Sequence, residues 1–140
     1  MKSIMSRAMK LLRYAWASPC SIVGLLLLLA GVFSGASVRV VAGVIEVAGG
    51  RFAPWVSRLP RCLQFSVITF GHVILADTRT SLACHRVHEQ VHVRQYEKWG
   101  ILFFPLYCGS SLTQLLCGRN PYSGNYFERQ ACKIDEGRTQ

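Results

Sequence analysis

Charge is scarce in this chain, and negative charge is scarcest. Only 16% of the 140 residues are charged, and Asp and Glu number 7 against 16 Lys and Arg. With 51% apolar residues and a mean hydropathy of +0.26, such a composition argues against a freely soluble domain. The six cysteines (Cys20, Cys62, Cys84, Cys108, Cys117 and Cys132) include no CxxC pair. Their even count permits disulfides, but nothing in the spacing favours a framework, and those in apolar runs read as small hydrophobes. There is no internal repeat, no low-complexity segment, and no zinc-finger, helix-turn-helix or basic-aromatic RNA motif. The net charge of +9 therefore points away from nucleic acid and towards anionic lipid head groups.

What is present is concentrated apolar sequence. Tyr14 to Val38 runs 25 residues without a formal charge, and Trp99 to Gly118 another 20. Lys2, Arg7, Lys10 and Arg13 precede the first run, which centres on Leu25–Leu29. A cleavable signal peptide would put Ser34 and Ala36 at the −3 and −1 sites. A retained transmembrane anchor suits better an uncharged stretch that begins well before the leucines, long enough for roughly 30 Å of hydrocarbon. The cations would hold the N-terminus in the cytoplasm, which places the rest of the chain on the non-cytoplasmic side of the inner membrane. Residues 1–36 are thus expected to be a basic N-terminus with an anchor or signal, and 37–140 one small domain. About 100 residues make a marginal core, which a metal or a membrane surface would reinforce.

The expected fold class is α+β. Val38–Val41 and Val44–Val47 flank Ala42-Gly43 and predict a hairpin. Residues 51–61, with Pro54 and Pro60, read as a connecting loop. Residues 64–76 read as one β-rich strand kinked or bulged at Gly71. Asp77–Ser81 is a turn, with Thr80 or Ser81 capping a helix from Leu82 to about Lys98. Asn120–Gly124 breaks the chain before a last helix, about Tyr126 to Ile134.

All four histidines lie between positions 72 and 92. His88 and His92 stand at i and i+4, so both rings leave one face of a helix a turn apart and can bind a single Zn2+. Glu89 comes directly after the first ligand, an offset that sets its carboxylate beside the ion, where it can take a proton from water. The His88-Glu89-Gln90-Val91-His92 run therefore fits the HExxH pattern, with His88 and His92 as ligands and Glu89 as catalytic base. His85 shares the stripe, but ligands at 85 and 92 would be about 10.5 Å apart along the axis. His72 reads as a strand histidine with a satisfied hydrogen bond. A third protein ligand is needed, and a glutamate is present on the downstream helix. The plainer readings are partly buried histidines and a solvated surface acid.

At these residues the chain resembles a family. Val67–Ile74 followed by Ala83–Gln95 is similar to the strand and active helix of minimal gluzincins, in particular the metallopeptidase-like domains associated with bacterial contractile injection systems. Asn125–Ala131 is similar to their third-ligand helix. The likeness covers roughly residues 65–95 and 120–135, and the whole chain also looks like small bacterial membrane proteins with this arrangement. It implies that Glu128 is the third metal ligand and that the Phe65–Ala76 strand is the edge on which an extended peptide lies. Gluzincins usually carry an aspartate four residues after the ligand glutamate; here Cys132 stands there. Arg86 and Arg94 flank the motif where uncharged residues are usual. For the oxyanion-stabilising group, Tyr96, Tyr122, Tyr126 and His72 are candidates.

The second apolar run constrains this reading. If Trp99–Gly118 crossed a bilayer, His92 and Glu128 would face opposite sides unless Tyr122–Glu128 re-entered it, whereas zinc ligands must lie within about 2 Å of the ion. The zinc site therefore predicts a broken or hairpin-like segment packed on the domain or dipping into one leaflet. Pro105, Gly109 and the Ser110–Thr113 stretch favour such a break. The expected function is a membrane-associated zinc peptidase with lipid and an unknown protein or peptide as partners and no nucleic acid. The alternatives are a zinc-stapled protein without catalysis and a metal-free two-span membrane protein.

Overall fold

The computed structural model describes residues 2–58 and 64–137, except for the side chains of residues 2–6, 52 and 53. Cys62 and Pro60 fall outside the described residues. The fold is α+β, a four-stranded sheet with helices on both faces. A long helix α1 (Lys2–Phe33) leads into a hairpin of β1 (Ser37–Val41) and β2 (Val44–Ala48). A short α2 (Phe52–Val56) precedes β3 (Val67–Phe70) and β4 (Val73–Ala76). Helix α3 (Arg79–Trp99) passes through a 3-10 turn at Gly100–Leu102 into α4 (Phe103–Leu116), and α5 (Tyr126–Glu136) completes the order.

The sheet order is β1-β2-β4-β3, with β2 and β4 parallel and the outer pairs antiparallel. β4 is central and wholly buried, so its alternation serves two layers. Val73 and Leu75 join Val47 against Leu27 and Leu28 of α1, while Ile74 and Ala76 join Val44 and Ala48 against Leu82 and Val93 of α3. Each of the larger β4 side chains contributes about 1.5–3 kcal/mol by leaving water.

Where one kinked strand was expected over 64–76, there are two strands and a turn. Gly71 has φ +59° and is followed by His72 at the tip, a two-residue connection with its positive φ on the first residue, as glycine favours. The expected β1–β2 hairpin is present, and both of its turn residues, Ala42 and Gly43, take positive φ. The loop expected over 51–61 contains α2. The cap of α3 is Thr78 rather than Thr80 or Ser81: its hydroxyl accepts from Ser81 N at 3.1 Å, and the helix starts at Arg79.

Helix α1 is long and apolar enough to cross a membrane over Arg7–Phe33, and among the described residues it is the one helix that is. It tolerates Pro19 because the Ser18 hydroxyl donates to Ala15 O at 2.7 Å, the carbonyl that the proline leaves without its helical partner. It is also docked: Ala17 and Cys20 pack with Tyr96, Phe103 and Phe127. The second apolar run does not form a span. Gly100 breaks it at φ +56°, where the Trp16 indole fills the space a side chain would need. The 14 residues of α4 reach about 21 Å, short of the roughly 30 Å hydrocarbon core. Pro105 sits in the first turn of α4, where no intrahelical N–H bond is lost.

Candidate metal centre

The polar inward-facing residues of α3 are set by its packing. Val93 and Leu82 turn to the sheet and Tyr96 to the α1 cluster, leaving His88, Glu89 and His92 on the side facing β3, α4 and α5. Helix α5 is started by Asn125, whose Oδ1 accepts from Phe127 N at 2.9 Å. Asn125 is fully buried, and its Nδ2 donates to Tyr107 O (3.0 Å) and Ser111 Oγ (2.7 Å), tying the start of α5 to α4. Phe127 and Ala131 bury the inner face of α5, which aims Glu128 at α3.

Three side chains converge there. His88 Nε2 lies 3.0 Å from Glu128 Oε2, His92 Nε2 lies 3.3 Å from Glu128 Oε1, and the two Nε2 atoms are 3.1 Å apart. All three residues are buried, and among the described residues they form the one group of His, Cys, Asp or Glu able to hold a metal ion. Donors placed tetrahedrally about 2 Å from an ion stand about 3.3 Å apart, so the spacing suits a metal with two imidazoles and a carboxylate. The donor chemistry agrees: the outer nitrogens are turned away from the centre. His92 Nδ1 is 2.8 Å from Gln95 Oε1, and His88 Nδ1 is 4.0 Å from Cys132 Sγ. Partners of this kind fix which nitrogen of each ring faces inward.

Burial works against ionisation of Glu128, but hydrogen bonds from His88, His92 and Tyr107 outweigh it and hold its pKa well below the usual carboxylate range. Tyr107 donates to Glu128 Oε1 at 2.6 Å. Burial depresses the pKa of His92, yet its contact with Glu128 and the nearby Glu89 carboxylate raise it on balance. The site thus concentrates negative charge in a buried place, the electrostatic condition for drawing in a cation.

Glu89 stands beside the trio, buried, with Oε2 accepting from Thr69 Oγ1 of β3 at 2.6 Å. It lines a cavity of about 390 Å³ together with His92 and Glu128. The other walls are mainly apolar, among them Ile68 and Phe70 of β3 and Phe103, Phe104 and Tyr107 of α4. β3 is an outer strand of the sheet, so among the described residues no strand pairs with its other edge, which lies beside this cavity.

Of the residues singled out from sequence, His88, Glu89, His92 and Glu128 come together. His85 is exposed, its Nδ1 2.9 Å from Ser81 O, and takes no part. His72 lies at the β3–β4 turn against α1, stacked on Tyr14, with Nδ1 3.4 Å from Ser21 Oγ and Nε2 3.3 Å from Glu97 Oε1. Of the four oxyanion candidates only Tyr96 and Tyr122 line the cavity. Tyr96 is nearly fully buried, packed in the cluster of Phe103 and Phe127. Burial and the Glu128 carboxylate push the Tyr122 pKa up, keeping it a donor. Sequence reasoning missed Thr69, Gln95 and Tyr107. Gln95 carried a signal, since it lies three residues after His92 on the same face. Comparison with models of protein families, with characterised proteins and with solved structures finds no match to the chain.

Proposed function

We propose that the chain is a membrane-associated zinc hydrolase that cleaves peptide bonds, of the minimal gluzincin type. The observation that carries the reading is the convergence of His88 Nε2, His92 Nε2 and the Glu128 carboxylate at 3.0–3.3 Å, with Glu89 beside them on the cavity wall. His88, His92 and Glu128 would hold the zinc. When bound, the ion supplies Lewis acidity, lowering the pKa of water and polarising a carbonyl.

The protein's own groups do the rest. Glu89 takes the proton of the attacking water and returns it to the departing amine nitrogen, while Thr69 steadies its other oxygen. Tyr107 orients Glu128, and Gln95 orients the His92 ring. Tyr122 is the donor best suited to the carbonyl oxygen as it gains charge. The open edge of β3 offers backbone hydrogen bonds to an extended peptide, and the apolar walls accept apolar side chains. Lipid is the second partner, through α1. A crossing α1 with its cationic end inside would carry the domain on the non-cytoplasmic side of the inner membrane; the docked packing of α1 favours another placement.

A second reading is supported by one contact. The partner of His88 Nδ1 is the thiol of Cys132 rather than a carboxylate, which leaves that imidazole less basic and suits a zinc that only staples the fold. Glu89→Gln separates the two. A peptidase loses hydrolysis of a generic unstructured protein substrate by about 100-fold or more while keeping its zinc. Full hydrolysis by this variant would refute Glu89 as base, and no hydrolysis by the unaltered zinc-loaded chain would favour the staple.

A further inference from the structure

We infer that α1 does not cross the membrane but lies in the plane of one anionic leaflet, docked on its domain, with its outer apolar face in the lipid. This concerns the lipid-facing surface and stands independently of the zinc reading.

The buried face of α1 is a narrow stripe: Ala17, Cys20, Gly24 and Gly31, at helical spacing. Along it the helix contacts the domain over nearly its whole apolar length. The Tyr14 hydroxyl donates to Gly43 O, Ser21 Oγ accepts from His72 N, Leu27 and Leu28 pack on the sheet, and Ala36 N donates to Gly31 O as the chain turns into β1. The opposite face exposes Leu12, Ile22, Val23, Leu26, Leu29 and Phe33.

The course of β1 decides how this helix meets a bilayer. β1 begins at Ser37, just past the end of α1, and ends at the Ala42-Gly43 turn, which Tyr14 touches near the other end of the apolar run. It therefore runs antiparallel to the helix, in the sheet on which the helix packs through β3 and β4. β1 is an outer strand whose other edge pairs with no strand among the described residues, and it carries the exposed Arg39. A docked α1 crossing the bilayer would drag that open edge and that guanidinium into hydrocarbon, where neither is tolerated without partners. Lying flat, α1 buries its outer face in lipid and leaves β1 in water.

Two further features fit an in-plane helix. Trp16 lies against Gly100, so the apolar face of α1 continues onto the exposed Trp99, Ile101 and Leu102. Indoles suit the head-group boundary. Exposed Arg7 and Lys10 lead the helix and match an anionic leaflet, while Arg13 lies 3.7 Å from a Glu97 carboxylate oxygen. Phe104 is both exposed and part of the cavity wall, which brings the mouth of the site next to this surface.

The test uses the full chain. In spheroplasts of an expressing bacterium, a membrane-impermeant thiol reagent is applied to the Arg7→Cys variant, and labelling of that position and of the exposed Cys84 is read by peptide mapping. Both labelled, or both protected until permeabilisation, is the expected result. One labelled and the other protected would show a crossing helix and overturn the inference, as would loss of the Arg7→Cys peptide from the mature protein. In flotation with preformed vesicles, the unaltered chain should bind phosphatidylglycerol-containing membranes roughly thirtyfold more tightly than pure phosphatidylcholine, from about 1 kcal/mol for each of the two cations Arg7 and Lys10. A chain that ignores both vesicle types, or that self-associates in their place, would also overturn it. Zinc content enters neither readout, so a metal-free protein with both positions on one side would sink the peptidase reading alone.

Discussion

Replacing Gln95 by leucine removes three hydrogen bonds from the heart of the site while nearly conserving volume. Gln95 Oε1 faces His92 Nδ1 at 2.8 Å, and its Nε2 donates to Phe127 O at 3.1 Å and to Gln130 Oε1 at 2.9 Å. The residue is buried, so His92 Nδ1, itself buried, would lose its partner away from water, while Phe127 O keeps its helical partner. Net hydrogen-bond contributions near 1 kcal/mol, and 1–3 kcal/mol for an unsatisfied buried group, give a loss of about 2–4 kcal/mol in metal-free stability. The effect on zinc is separate. Without its acceptor the His92 ring is free to turn or change tautomer, and losing such an outer partner costs about 10–100-fold in metal affinity. Competition titration against a chromophoric chelator reads the affinity, and thermal unfolding of the metal-free protein reads the stability. Gln95→Glu keeps an acceptor for His92 and loses the donor to Phe127, so it should retain zinc affinity while remaining destabilised. Unchanged zinc affinity in Gln95→Leu would refute the assignment of Gln95 as the group that orients His92.

Cys132→Asp should strengthen zinc binding by about tenfold, because a carboxylate at His88 Nδ1 raises the basicity of the ring; weaker binding in the same titration would show that the thiol does not act on His88. The stability of the metal-free protein and the stability that zinc adds should depend on pH differently. The pKa of Glu128 is lowered on folding from 4.5, so its contribution to stability is present above that value and lost as pH falls through the folded pKa. The pKa of His92 is raised from 6.5, so its contribution is complete below that value and lost as pH rises through the folded pKa. Metal-free stability should therefore peak between 4.5 and 6.5 as far as this pair is concerned. Zinc must displace the His92 proton, so the stability that zinc adds should grow with rising pH through the same region. Thermal unfolding against pH with and without zinc checks this; parallel curves would contradict it.

Much of the site was legible because its geometry is local. An i, i+4 histidine pair fixes two donors on one helix face whatever the fold around them. For the third donor the residues alone offered only an acid on the helix after the Asn120–Gly124 break; its assignment to Glu128 came from the likeness of Asn125–Ala131 to a third-ligand helix. What stayed hidden was tertiary. Tyr107 sits in a run whose hydropathy reads as membrane sequence, and its hydroxyl finds Glu128 only because Asn125 ties α4 to α5. Thr69 was one β-former among many until β3 came to lie beside α3. The turn at Gly71-His72 was written in a glycine between two β-branched runs; reading the glycine as a kink kept one strand where a two-residue connection makes two. Hydropathy averaged over α1 concealed the stripe of small residues that docks it, because a mean carries no direction.

Whether His88, His92 and Glu128 hold a metal is read from the metal content of the purified protein. The full chain and its His88→Ala and Glu128→Ala variants, purified without chelator and equilibrated with limiting zinc, are compared by elemental analysis alongside circular dichroism. Stoichiometric zinc is expected in the unaltered protein, and its loss from both variants with the fold retained. Equal zinc in all three, or none in the unaltered chain, would contradict it.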